Sequence, residues 1–115
     1  MTEVPHGRLA DAAEAPHDGE RFDLLVDQDG VIIEHILSAA SDAPDSYLQD
    51  HDEWVVVLSG SATLDVGGTV HELAAGDWLM LPAHVPHTIE RRDEGTTWLA
   101  VHLPAEDDDA VPPVS

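Results

Sequence analysis

The 115-residue chain contains no cysteine and no lysine, and each absence excludes a class of chemistry. Without cysteine, the chain forms no disulfide and offers no thiolate for metal binding or for nucleophilic catalysis. Its only strong cations are four arginines, against 24 aspartates and glutamates, and its formal net charge is −20. Because such a charge repels phosphate groups, we expect no nucleic-acid partner. No hydrophobic run reaches the roughly 20 residues of a transmembrane helix, so we expect no membrane partner.

The same charge pattern suggests where the protein works. A secretion signal has a basic stretch followed by an apolar one, and the N-terminal residues lack this pattern. We therefore expect a cytoplasmic protein. An acidic chain without lysine is typical of proteins from high-salt cytoplasms, where multimolar salt screens charges over about 3 Å. A merely acidic mesophilic protein is the alternative. The halophilic interpretation predicts loss of the fold at low salt, where the charges repel one another unscreened.

The length of the chain allows one domain, and its 43% apolar content is typical of globular proteins. Residues 1–20 show no apolar periodicity and are predicted to form a flexible arm, followed by a domain over residues 21–104. Residues 105–115 are acidic and contain proline, which predicts a disordered tail. A domain of this size buries only about 60% of its unfolded surface, so we expect a homodimer to add burial.

The central region alternates short β-branched segments with glycine and proline. We predict strands over 22–26, 31–37, 53–58, 62–66, 69–73, 78–81, 87–92 and 96–103, with a loop over 38–46. Gly67 and Gly68, flanked by alternating residues, predict a two-residue hairpin because both can adopt positive φ. Many short strands at regular spacing favour an all-β barrel or sandwich.

Two spacings around this hairpin involve ligand-forming side chains. Glu53 precedes Gly60 by six intervening residues, and Gly76, Pro82 and His87 follow the pattern G-x5-P-x4-H. These spacings resemble the two motifs of the cupin superfamily, G-x5-H-x-H-x3,4-E-x6-G and G-x5-P-x-G-x2-H-x3-N. The resemblance covers about residues 21–104. It implies a single-domain, antiparallel, jelly-roll-like cupin β-barrel, with a divalent metal held by Glu53 and His87.

The chain departs from the motifs at several positions. Tyr47 and Gln49 stand at the two first-motif histidines, His84 stands at the second-motif glycine, and Arg91 stands at the closing asparagine. The amide oxygen of Gln49 is a possible ligand. The phenol of Tyr47 would bind a metal only as phenolate, which is disfavoured near neutral pH.

His51 adds a further candidate, because in an extended segment it lies on the same face as Gln49 and Glu53. The predicted metal ligands are therefore Gln49, His51, Glu53 and His87, a donor set that suits Fe(II), Mn(II), Ni(II) or Zn(II). The alternative is that Glu53 and His87 only hydrogen-bond in a polar barrel mouth, and that His51 faces water.

The remaining histidines receive weaker assignments. His84 is a candidate for proton transfer near neutral pH. His102 lies in a strand with two alternating faces and is expected to be an ordinary sheet histidine rather than a ligand. No serine lies in a nucleophile-elbow sequence, so a nucleophilic hydrolase is disfavoured.

Two functions fit these observations. The first is a small cupin that binds a divalent metal and acts on, or senses, a small organic molecule. As an enzyme it would be of dioxygenase, isomerase or decarboxylase type. The alternative is a non-catalytic ligand-binding or structural dimer with a degenerate metal site, which the missing motif histidines favour.

Overall fold

The computed structural model describes residues 3–105, which form nine β-strands and one short 3-10 helix. The helix is Ala12–Glu14. The strands are β1 Glu20–Gln28, β2 Val31–Ser38, β3 Asp45–Tyr47, β4 Glu53–Ser59, β5 Ser61–Val66, β6 Thr69–Ala74, β7 Trp78–Leu81, β8 His87–Arg92 and β9 Thr96–His102. Within the described residues, no helix has the length and apolar character needed to cross a bilayer.

The strands form two antiparallel sheets that enclose one core. The larger sheet has the order β1-β2-β9-β4-β7 and the smaller has the order β3-β8-β5-β6. Buried residues of both sheets pack together: Ile36, Val55, Val57, Leu81, Trp98 and Ala100 from the larger sheet, and Ala62, Leu64 and Leu73 from the smaller. The predicted all-β, antiparallel, jelly-roll-like class is confirmed. No ladder of hydrogen bonds joins the two sheets among the described strands, so the barrel is open rather than closed.

Glycines fix the two turns that set the strand order. Gly67 and Gly68 have φ values of 58° and 94°, which confirms the predicted hairpin between β5 and β6. Gly60 links β4 in the larger sheet to β5 in the smaller, with φ of 76°. A Cβ at Gly60 would lie 2.5 Å from the Cα of Thr96, so the chain can pass between the sheets here only with glycine.

Two elements differ from the sequence prediction. β3 lies partly in the segment predicted as a loop. Its three residues pair with β8, but they show no apolar alternation from which a strand could be predicted. The helix lies in the predicted flexible arm, where Asp11 accepts a hydrogen bond from Ala13 N and Glu14 accepts one from Asp11 N. This reciprocal capping box stabilises a helix end. Most of the predicted acidic tail, 106–115, lies outside the described residues.

The register of the larger sheet brings three polar residues to one end of its inner face. Glu53 on β4 is opposite His102 on β9, and His102 is opposite Ile32 on β2. Glu34, two residues beyond Ile32, shares that inward face because side chains alternate along a strand. Three neighbouring strands thus place Glu34, His102 and Glu53 side by side.

Candidate metal centre

Two imidazoles and one carboxylate converge at the end of the larger sheet. His51 Nε2 lies 2.9 Å from His102 Nδ1, and His102 Nδ1 lies 3.7 Å from Glu53 Oε1. One ligand atom from each residue falls within 4.8 Å of the other two. Glu53 is buried, whereas His51 and His102 are partly exposed, so the group opens towards solvent.

The outer nitrogen of each imidazole is held by a carboxylate. His102 Nε2 lies 2.8 Å from Glu34 Oε1, and His51 Nδ1 lies 3.1 Å from Asp50 Oδ1. The hydrogen bond from His51 holds the pKa of Asp50 below its usual range, which keeps that acceptor ionised. An ionised carboxylate only accepts hydrogen bonds, so an imidazole nitrogen that is bonded to one carries the hydrogen.

This arrangement leaves the two inner nitrogens facing each other. A neutral imidazole with hydrogen on its outer nitrogen has a lone pair on the inner one, so with both rings in this form His51 Nε2 and His102 Nδ1 would both be acceptors. Two such nitrogens 2.9 Å apart are satisfied by a cation between them, which is either a shared metal ion or the extra proton of one imidazolium. Metal-nitrogen distances of about 2.0–2.1 Å place two nitrogens in neighbouring coordination positions about 3 Å apart. The residues present therefore fit a bound metal ion.

A cavity of about 120 Å³ adjoins the cluster, between the two sheets. Glu53, Glu34 and His102 lie in its wall, so the cluster opens into the space. The apolar part of the lining consists mainly of Ile36, Val55, Leu64, Leu81, Ile89 and Trp98. The arrangement is chemically suited to hold a small molecule with one end against the cluster and the rest against apolar walls.

His87, a predicted metal ligand, lies in the same cavity but outside the His51, Glu53 and His102 group. Its ring stacks on Tyr47, with centroids 5.4 Å apart, and β3 and β8 pair these two residues directly. Burial lowers the pKa of His87, although the nearby Glu53 charge acts in the opposite direction. In this conformation His87 is a neutral, stacked wall residue.

The segment that carries Gln49 and His51 is not a strand. β3 ends at Tyr47 and β4 begins at Glu53, so strand alternation does not run through the five intervening residues. Gln49 nevertheless lines the cavity, and its backbone carbonyl accepts a hydrogen bond from the backbone N–H of His84 at 2.7 Å. His51 reaches the cluster from this irregular segment. The two-residue spacing from Glu53 therefore singled out His51, although the backbone between Tyr47 and Glu53 is not the extended strand that this reasoning assumed.

His84, the candidate for proton transfer, is exposed and is not a lining residue of the cavity. It has φ of 63°, a left-handed conformation, at the position where the second motif has glycine. Its backbone thus has a conformation that glycine adopts without strain, while its side chain projects to solvent.

Replacing His84 with glycine is expected to stabilise the protein by about 1 kcal/mol, because a Cβ is strained in the left-handed region. Metal affinity should not change. Urea unfolding of both proteins measures the first effect, and the variant Asp29→Gly provides a matched control. Asp29 also has positive φ, of 54°, but aspartate tolerates that region, so its gain should be smaller. A loss of metal binding in His84→Gly would instead place His84 in the site.

The residue that sequence reasoning missed is His102. It was expected to be an ordinary sheet histidine, yet the structure brings it against both His51 and Glu53. His102 lies opposite Glu53 because β9 is next to β4 in the sheet. The local sequence does not show which strand is next to β4, so it gave no signal for this contact. Glu34, its carboxylate partner, was missed for the same reason.

Comparison with known proteins agrees with this fold. A model of the cupin domain family matches residues 33–102. A proposed mannose-6-phosphate isomerase from Ralstonia eutropha JMP134 is 37% identical, with a TM-score of 0.71, over 86% of this chain and 100% of that one. KdgF from Halomonas sp. is 18% identical, with a TM-score of 0.65, over 80% and 84% of the two chains.

The iron(II) form of HppE is also similar, at 18% identity and a TM-score of 0.63, over 74% of this chain and 50% of that one. The two likenesses at 18% identity show the fold alone. A search of curated proteins finds no match.

Proposed function

Because the chain belongs to the cupin domain family, we propose that it binds one divalent metal ion between His51, Glu53 and His102 and holds a small organic molecule beside that ion. The observation that carries the proposal is the pair of imidazole nitrogens 2.9 Å apart, each with its opposite nitrogen on a carboxylate. A metal ion between the two nitrogens would satisfy both, and Glu53 lies close enough to complete its ligands.

The donor set favours Fe(II). Two imidazoles and one carboxylate with open positions are typical of non-haem Fe(II) sites, and a similar set also serves catalytic zinc. Mn(II) and Ni(II) are further candidates. When bound, such an ion acts as a Lewis acid that polarises an oxygen of the substrate.

The surrounding residues orient the ligands and shape the space. Glu34 and Asp50 fix which nitrogen of each imidazole carries hydrogen, which directs the lone pairs inward. The apolar walls bury one end of a small molecule, and Gln49 offers an amide to a polar group on it. We propose that the protein acts on this molecule as a metal-dependent enzyme of dioxygenase, isomerase or decarboxylase type.

A specific observation favours a second candidate, a non-catalytic binding protein. The two first-motif histidine positions hold Tyr47 and Gln49, and Tyr47 stacks on His87.

For the enzyme, the 37% identity to the Ralstonia protein makes isomerisation of mannose 6-phosphate a candidate reaction. Turnover of any substrate by the metal-loaded protein favours the enzyme, whereas binding without turnover favours the second candidate.

Calorimetric titration of the chelator-treated protein in high salt tests the metal proposal. Fe(II), Mn(II), Ni(II) and Zn(II) are added separately, with Fe(II) kept anaerobic. We expect one ion bound per chain for at least one of these metals. The absence of binding by all four would overturn the proposal.

We also propose that two copies associate through the outer face of the larger sheet. Trp54, Val56, Trp78 and Met80 share this face, since the β4 and β7 register pairs Trp54 with Met80 and Val56 with Trp78. The side chain of Trp78 is 60% exposed and that of Met80 is 42% exposed. A contiguous exposed apolar surface of this kind is typical of a protein interface.

Replacing Trp78 with glutamate is expected to convert a dimer to a monomer, because a charge would be buried in the interface. Sedimentation in high salt measures the mass. The control is Val70→Glu, since Val70 is similarly exposed, at 58%, but lies on β6 of the smaller sheet. A monomeric parent, or a dimer that only Val70→Glu dissociates, would contradict the proposed face.

A further inference from the structure

We propose that the cavity between the sheets selects an uncharged, compact molecule of about six non-hydrogen atoms and rejects anions. This inference rests on the proposed function, since it describes the ligand of that site. It goes further by assigning the ligand's charge and size from the residues that surround the cavity.

Carboxylates determine the charge of the cavity wall. Glu20, Glu34 and Glu53 all line the space, and no lysine or arginine is among its lining residues. A divalent ion at the cluster would contribute +2, and Arg92, paired with Glu20, contributes +1, so together they only balance these three negative charges. An anion entering the cavity would therefore lose water and gain no net attraction, which is costly.

The terminal nitrogens of the strand arginines already pair with carboxylates, although the buried Nε of Arg92 has no hydrogen-bond partner among the described residues. Arg92 is buried beside the cavity, and its two terminal nitrogens bind Asp45 at 2.9 Å and Glu20 at 3.3 Å. Arg21 pairs with Asp23, and Arg91 pairs with Asp93. Recognition of a phosphate or carboxylate normally uses a guanidinium or ammonium group, and the cavity wall offers neither.

The size and polarity of the space restrict the ligand further. The cavity volume of about 120 Å³ sets the scale of the part of a ligand that it can enclose. An apolar cavity of about 150 Å³ accommodates benzene. Here the exposed lining is mostly apolar, and its smaller polar part is contributed by carboxylates, imidazoles, Gln49 and Tyr47. A ligand with one polar group on a compact apolar body matches this distribution.

This chemistry disfavours a phosphorylated sugar, which is both too large for the space and dianionic. It also makes a specific residue responsible for the selectivity. Glu20 lines the cavity and pairs with Arg92, so replacing Glu20 with glutamine removes one negative charge from the wall and leaves Arg92 paired with Asp45 alone.

The test uses two pairs of probes that differ in charge but hardly in shape: isobutyramide with isobutyrate, and propionamide with propionate. Each is titrated into the metal-free protein at neutral pH and high salt, and methyl NMR shifts of Leu64, Leu81 and Ile89 report entry into the cavity. We expect each amide to bind at least tenfold more tightly than its carboxylate. In Glu20→Gln this preference should fall at least threefold, whereas in Glu72→Gln, which removes an exposed carboxylate from β6, it should not change.

A carboxylate that binds the parent protein as tightly as its amide would overturn the inference and leave the metal proposal standing. An unchanged preference in a folded Glu20→Gln variant would overturn the role of Glu20. If none of the four probes shifts the three methyl groups, the small-molecule part of the proposed function fails instead. The metal titration is independent of all these outcomes.

Discussion

Replacing His102 with alanine is expected to abolish tight metal binding while the sheets remain folded. His102 supplies the nitrogen that faces both His51 and Glu53, and it connects this group to Glu34. Loss of an outer carboxylate partner typically weakens a metal site 10–100-fold, and loss of a direct ligand should exceed that. Competition with a chelator of known affinity measures the change, and circular dichroism verifies the fold.

A graded series separates this account from one based on the sequence motifs. Glu34→Gln keeps all three ligands and should weaken binding about 10–100-fold, because the carboxylate that orients His102 is lost. His71→Ala on β6 provides the control and should bind as the parent does. The opposite pattern, with full binding in His102→Ala and none in His87→Ala, would place the metal at the motif histidine.

Replacing Arg92 with methionine is expected to destabilise the protein by about 3–5 kcal/mol, as is typical when one partner of a buried ion pair is removed. Only 3% of the Arg92 side chain is exposed, and its partner Glu20 is 14% exposed. Without the guanidinium, Glu20 would keep a mostly buried charge with only Ser38 as a hydrogen-bond donor. Since a small domain is stable by about 5–15 kcal/mol, the variant would lose a large part of its stability.

The neighbouring residue gives a matched control for this experiment. Arg91 also loses one positive charge when replaced with methionine, but its ion pair with Asp93 lies on the surface, with both side chains at least 40% exposed. Exposed pairs contribute little to stability, so Arg91→Met should unfold close to the parent in urea. Equal losses in both variants would show that net charge, rather than the buried pair, determines the effect.

The fold could be predicted largely from local signals. Gly67 and Gly68 indicated the hairpin because a two-residue turn of this kind needs positive φ at both central residues, which glycine adopts readily. The spacings from Glu53 to Gly60 and from Gly76 to His87 indicated the family. The opening of the barrel could not be predicted, since it depends on which strand edges remain unpaired. β3 was missed because its three residues pair with β8 without an apolar pattern.

The site was less accessible from sequence than the fold. Glu53 and His87 were found through the motifs and His51 through its spacing, and all three lie at the cavity or its adjoining cluster. His102 and Glu34 reach the cluster only because β9 lies between β2 and β4, a neighbour relation that no local pattern encodes. The identity of the ligands stays a prediction, as do the cytoplasmic, high-salt and nucleic-acid-free assignments.

The most direct test of the account is a long-range proton-nitrogen NMR spectrum of the histidine rings, recorded with and without one equivalent of Zn(II). Zinc is diamagnetic, and the shift of each ring nitrogen reports whether it binds metal. The account predicts that zinc shifts His51 Nε2 and His102 Nδ1 in the manner of metal-bound nitrogens, while His87 stays free. Metal-bound shifts at His87, with His102 unchanged, would contradict it.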